Sequence, residues 1–260
     1  MVKSEIGRRL VRLEAAEDVR VLFAVESGSR AWGFPSLDSD YDVRFVYIRR
    51  PEWYLSIDLE RRRDVLEIPV DAGIDLSGWD VRKGLSLFAK SNPPLLEWLG
   101  SPIVYREVLG LAQRLRHLLP VFYSPDASAY HYLHMAQGNY REYLRGHTVW
   151  LKKYLYVLRP LLAVRWVEQA RGVVPMEFSK LLVTINGQTL LIADIQQLVE
   201  RKRAGEELNQ GPAIPSIGQF IASELSRLES FKPPRSGESP DLEPLNVLFQ
   251  EMLHRAWPAP

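Results

Sequence analysis

The sequence contains no cysteine, which excludes disulfides and thiolate metal sites. No apolar run comes near the ~18 residues of a membrane span. The opening MVKSEIGRRL is charged where a signal peptide would need an apolar core. A surplus of one charge is missing as well: 33 basic and 32 acidic side chains leave a formal charge of +1. The large positive excess that marks many nucleic-acid binders is therefore absent. The basic clusters Arg61-Arg62-Arg63, Lys152-Lys153 and Arg201-Lys202-Arg203 read as solvated surface. What remains is an ordinary globular composition, expected in the cytoplasm, with 260 residues able to form one large domain or two small ones.

Along the chain, Ile6, Leu10 and Leu13 are spaced as one face of a helix over 4–18. The run 19–25 reads as a buried strand that ends at Gly28. Residues 30–39, with Gly33, Pro35 and Ser36, read as a loop, and YDVRFVYI over 41–48 as a second strand. A third strand is expected over 65–75, with a turn near Pro69. From residue 77 the pattern becomes helical: Ser77 followed by Asp80 has capping-box spacing, and Asn92-Pro93-Pro94 should stop that helix. Helices are expected over 95–99, 107–119, 126–145, 147–170, 178–203 (one or two), 216–230 and 242–256. A loop spans 205–215, and 232–240 reads as a Pro/Ser/Gly-rich linker. A small sheet followed by helices implies an α+β fold. The expected division is a catalytic domain over 1–105 and a helical domain over 106–260 that completes the substrate cleft.

Chemistry concentrates in Glu26-Ser27-Gly28-Ser29 and Asp40-Tyr41-Asp42, with a ten-residue gap between Ser29 and Asp40. Aspartates at i and i+2 of a strand share a face, and their repulsion is costly unless a cation sits between them. An oxygen-only donor set suits Mg²⁺, which is usually shared with substrate phosphates. The Gly28-Ser29 turn offers backbone N–H groups and a hydroxyl to a phosphate. Two-metal transfer chemistry needs a further carboxylate from a neighbouring strand. Asp75, after the apolar Ala72-Gly73-Ile74, is the candidate, with Asp71 a weaker one. An isolated Asp-Ser-Asp is usually turn chemistry; its spacing from the Gly-Ser turn and the added Asp75 favour the catalytic reading.

These residues resemble the nucleotidyltransferase superfamily typified by DNA polymerase β: an apolar strand, Gly-Ser, Asp-x-Asp, and a third acidic residue on a later strand. Three longer blocks are similar to one branch, the RNA repair pathway nucleotidyltransferases (the RlaP family). They are ESGSRAWGFPSLDSDYDVRFVYI, DLSGWDVRKGLSLFAKSNPPLLEWLGSPIVY and KKYLYVLRPLLAVRW. The resemblance implies a polymerase-β-type mixed sheet, a nucleoside triphosphate substrate, and Mg²⁺ or Mn²⁺ in a two-metal site. Asp40 and Asp42 would hold the nucleotide's metal. Asp75 would help hold the second and activate the attacking hydroxyl. An RNA end is the expected acceptor, by the family's name.

Arg30 and Arg44 lie close to this site in sequence. Arg44 shares the face of Asp40 and Asp42, so it could meet a phosphate or pair with the aspartates. Lys83 could reach a phosphate one turn after Asp80, which reads as a cap residue. In related nucleotidyltransferases a second-domain helix supplies a lysine and an aromatic to the nucleotide. The stripe Lys152–Tyr156–Arg159 fits that role, although a tyrosine on a helix is as often packing. His131, His134 and His147 have only Glu142 as an acidic neighbour and read as packing or surface residues. Three functions compete: transfer to RNA, transfer to a protein or small molecule, and a non-catalytic regulator. The intact acidic triad argues against the last.

Overall fold

Ile6, Leu10 and Leu13 are all buried on one side of α1 (Val2–Glu17), as their spacing requires. They pack on β1 (Val19–Glu26) and its neighbours, together with Val21, Ala24, Val43, Phe45, Tyr47, Ile74 and Leu76. After α2 (Gly28–Trp32) come β2 (Tyr41–Arg49), α3 (Pro51–Tyr54), β3 (Val65–Asp71) and β4 (Ile74–Asp80). Then follow α4 (Val81–Ala89), α5 (Pro93–Leu99), β5 (Val104–Glu107) and α6 (Leu111–Phe122). The five-stranded sheet runs β3-β4-β2-β1-β5. β2 and β4 are parallel, and the other neighbours are antiparallel. This is the expected α+β fold with a mixed sheet.

The single third strand expected over 65–75 is two strands. Ala72 and Gly73, at φ 47° and 69°, form the tight turn between β3 and β4, a backbone that the right-handed twist of a hairpin favours. Ser77 consequently lies within β4 and caps nothing. The cap of α4 is Asp80, whose carboxylate accepts from the N–H of Arg82. β5 and the loop helix α2 had no counterpart in the sequence reading; both are shorter than a periodic pattern can reveal.

The remaining elements are α7 (Pro125–Tyr143), β6 (Thr148–Trp150), α8 (Leu151–Glu168), α9 (Phe178–Leu181), α10 (Thr189–Arg203), β7 (Gln210–Pro212), α11 (Pro215–Arg227) and α12 (Glu243–Ala256). The helix expected from 147 starts at 151 because 148–150 pair with 210–212 in a two-stranded sheet. The computed structural model describes residues 2–206, 208–231 and 240–258; residues 232–239 of the expected linker lie outside them. No described helix is long and apolar enough to cross a membrane.

The compact units depart from the expected cut at 105/106. One holds Met1–Gly28, Asp40–Tyr123 and Glu238–Pro260; the other holds Ser29–Ser39 and Ser124–Gly237. Within the first, α6 belongs to the sheet because Phe122 packs on Phe88 and its carbonyl accepts from Ser91. α12 returns to it through Phe249 on Tyr54 and an Arg114–Glu251 pair. Within the second, Phe34 of the loop packs on Phe178, and its carbonyl accepts from Lys202. Arg203 donates to Gly33. These two members of a basic cluster read as solvated surface thus anchor a loop.

Asp80 is buried, and burial pushes its carboxyl up to about 6 against the hydrogen bonds from Tyr54 and Arg82. With the folded pKa above the unfolded one, stability is full below the ordinary carboxylate range and falls as pH rises to about 6. Asp80→Asn keeps the cap and removes this titration. Urea denaturation from pH 4 to pH 7 should show the variant gaining on the unmodified chain by on the order of 3 kcal/mol across that window. A pH-independent difference would contradict the assignment.

Candidate active site

The pleat of β2 sends Val43, Phe45 and Tyr47 into the core under α1, so Asp42 and Arg44 project from the other face. On β4, Ile74 and Leu76 join the same core, which leaves Asp75 beside Asp42. The parallel register pairs Asp42 with Asp75 and Arg44 with Ser77. Gly78, opposite Phe45, has no room for a side chain: a Cβ there would fall 2.1 Å from the Phe45 ring. Asp75 is thus the second residue of β4, not the end of a strand, and parallel pairing brings it to Asp42.

One guanidinium nitrogen joins the two carboxylates. Arg44 Nη2 donates to Asp75 Oδ2 at 2.8 Å and to Asp42 Oδ1 at 3.3 Å. All three side chains are partly shielded, at 22%, 31% and 29% exposure for Arg44, Asp42 and Asp75. That is less solvent than the surface pairs whose net worth is near zero. Asp40 is exposed and immediately precedes β2.

Three features hold Asp42 in place. Gly28, at φ 58°, faces its carboxylate so closely that a Cβ would lie 2.0 Å from Oδ2. Glu26, fully buried at the end of β1, accepts from the Asp42 N–H at 2.8 Å through Oε1 and from the Tyr105 hydroxyl through Oε2. The Ser27 N–H closes the turn onto the Asp42 carbonyl at 2.8 Å. Neither Glu26 nor Tyr105 carries a role that the sequence alone assigns. An acid ending the apolar run VLFAVE was the available signal for Glu26; none marked Tyr105.

The other candidates separate. In the second unit, the Ser29 hydroxyl meets that of Ser39 at 3.2 Å, and Arg30 donates to the Ser39 carbonyl at 2.6 Å. Lys83 pairs with Asp64 at 2.9 Å and lies past the end of β4 opposite to Asp75. Asp71 is exposed and pairs with Arg9 at 2.7 Å. On α8, Lys152 and Tyr156 are exposed, whereas Arg159 is buried. Arg159 lies over the Trp32 ring and donates to the Met176 carbonyl. Trp32 in turn packs edge-on against Tyr156, and Lys153 approaches the rings of Tyr143 and Tyr156. The stripe is therefore two outward residues over a buried arginine. His131, His134 and His147 are exposed.

Among the described residues, no three His, Cys, Asp or Glu side chains converge as a ready-made metal site. Asp42 and Asp75 nevertheless present adjoining carboxylate oxygens, a donor set suited to a hard divalent cation, and Gly28 leaves the space one of them occupies. The guanidinium of Arg44 holds the position between them.

Residues 2–251 match the RlaP family, described as the RNA repair pathway DNA polymerase beta family. A Bacillus subtilis (strain 168) protein, called only the uncharacterized protein YcgL, is 47% identical over 257 residues, covering 98% of each chain. The solved structure of a nucleotidyltransferase-like protein from Exiguobacterium sibiricum 255-15 aligns over 94% of this chain and 87% of its own. Its identity is 13% and its TM-score 0.31.

Replacing Glu26 with Ala leaves the Asp42 N–H without its acceptor in a buried setting, at a cost of about 1–3 kcal/mol. Gly28→Ala forces a side chain into positive φ against Asp42, costing at least about 1–2 kcal/mol. Urea denaturation midpoints read both, and an unchanged midpoint in either variant would remove the support assigned to that residue.

Proposed function

Because the chain belongs to the RNA repair pathway DNA polymerase beta family, we propose that it moves a nucleoside monophosphate from an NTP to an acceptor hydroxyl, with an RNA end as the acceptor. The observation that carries this reading is the register of Asp42 against Asp75 on parallel strands. It puts two carboxylates on one face, where a triphosphate's cation could be held. Asp42, Asp75 and the adjacent Asp40 are the residues that would bind Mg²⁺ or Mn²⁺. Bound there, the ion would neutralise triphosphate charge and polarise the reacting oxygens.

The protein's own part is alignment and charge, since phosphoryl chemistry asks little covalent help of side chains. In this reading Asp75 draws the proton from the attacking hydroxyl. The new bond forms between that oxygen and the α-phosphorus, and pyrophosphate leaves with the electrons of the broken P–O bond. Gly28, Ser29, Arg30 and Arg44 are assigned to the phosphates. Lys83 is left with its structural pair to Asp64. The working compartment we assign is the cytoplasm. The near-neutral sum of charge slightly weakens the case for an RNA acceptor, though a local basic surface does not appear in a sum.

The test is incubation with each labelled NTP and Mg²⁺ or Mn²⁺ against total RNA, tRNA and protein. Label should enter RNA, and Asp42→Ala should abolish transfer while leaving the fold intact by circular dichroism. Label in protein alone would move the acceptor to that class. Transfer that survives in Asp42→Ala would overturn the site, and no transfer to any acceptor would favour a regulatory role.

A further inference from the structure

Arg44 sits where a divalent cation between Asp42 and Asp75 would sit. A single nitrogen, Nη2, serves both carboxylates, at 2.8 and 3.3 Å, while Nη1 donates to the Val43 carbonyl at 3.2 Å. The register opposite Arg44 holds Ser77, which brings no charge. Two carboxylates on neighbouring strands repel each other, and a partly shielded guanidinium between them relieves that repulsion. One positive charge balances only half of the pair; a divalent ion would balance it fully.

We infer that Arg44 is a resident counter-ion that closes the metal locus of the free protein and exchanges places with the metal when nucleotide arrives. The inference rests on the nucleotidyl-transfer reading and adds to it the order in which charges are satisfied. In the free chain the guanidinium competes with Mg²⁺ for the same oxygens, so metal alone binds weakly. A nucleoside triphosphate brings both the ion that takes the carboxylates and the phosphate oxygens that receive the displaced guanidinium. Its forked donors suit phosphate as well as carboxylate. Metal and triphosphate affinities are then coupled, each strengthening the other by the same factor.

Arg44 has the stem for this exchange and few ties to keep it in place. Among the described residues, its bonds apart from those to the two carboxylates go only to the carbonyl of its own neighbour Val43. The carboxylates are held more firmly: the Asp42 backbone by Glu26 and the strand register, and Asp75 by β2, with its neighbours Ile74 and Leu76 paired to β3. The mobile partner in the exchange is therefore the arginine.

Free Mn²⁺ measured by electron paramagnetic resonance, on the full chain with and without a non-hydrolysable triphosphate, tests this without reading activity. Arg44→Gln should bind Mn²⁺ about tenfold more tightly than the unmodified chain when nucleotide is absent. Its gain in Mn²⁺ affinity on adding the triphosphate should be correspondingly smaller. Arg44→Lys, which keeps a cation, should stay near the unmodified value. Should Arg44→Gln fold poorly, Mn²⁺ should raise its Tm more than that of the unmodified chain. Equal or weaker Mn²⁺ binding by folded Arg44→Gln overturns the exchange and leaves the metal site standing. Absence of Mn²⁺ binding in all three proteins, with triphosphate present, overturns the metal site and the exchange together.

Discussion

The mutual repulsion of Asp42 and Asp75 is the constraint around which the first unit is arranged. Parallel pairing of β2 with β4 sets them side by side, and Arg44 relieves the charge they would otherwise impose on each other. Such an arrangement is a poor choice for stability alone, since apolar residues at those three positions would avoid both the repulsion and the partial desolvation. It stands on a sheet whose opposite face is an ordinary apolar core.

The surroundings supply the stiffness this pair requires. Phe45 and Tyr47 anchor β2 from below, and Gly78 lets β4 lie against the Phe45 ring. Glu26 fixes the Asp42 backbone from β1, and Tyr105 on β5 fixes Glu26. Four of the five strands thus contribute to the placement of one carboxylate. Gly28 completes the enclosure by being small. The second unit has its own core, built on α8 and closed by the loop 29–39 through Phe34 and Trp32.

Much of this was readable from the sequence because the strongest signals were local. The i, i+2 aspartates, the Gly-Ser turn and the amphipathic α1 each declare themselves within a few residues, and the family resemblance carried the fold. What escaped depended on pairing between distant segments. Asp75 reads from the sequence as the end of a strand; only the hairpin at Ala72-Gly73 makes it the second residue of β4 and sets it beside Asp42. The role of Glu26 required knowing that β1 and β2 are neighbours. The expected boundary at 105/106 ignored α6 and α12, whose membership is decided by Phe122, Phe249 and Arg114 meeting partners far along the chain. Arg159 shared a helical stripe with Lys152 and Tyr156, yet burial beneath Trp32 separates it from the surface, a distinction periodicity cannot make.

The central claim is that the acidic strand pair serves transfer of a nucleoside monophosphate. Parallel reactions with α-labelled and γ-labelled NTP, using RNA as acceptor and the unmodified chain beside Asp75→Asn, address it most directly. The expected result is α-label joined to RNA with release of pyrophosphate by the unmodified chain, and neither by Asp75→Asn. Joining of the γ-label in place of the α-label, or α-label transfer that persists in Asp75→Asn, would contradict it.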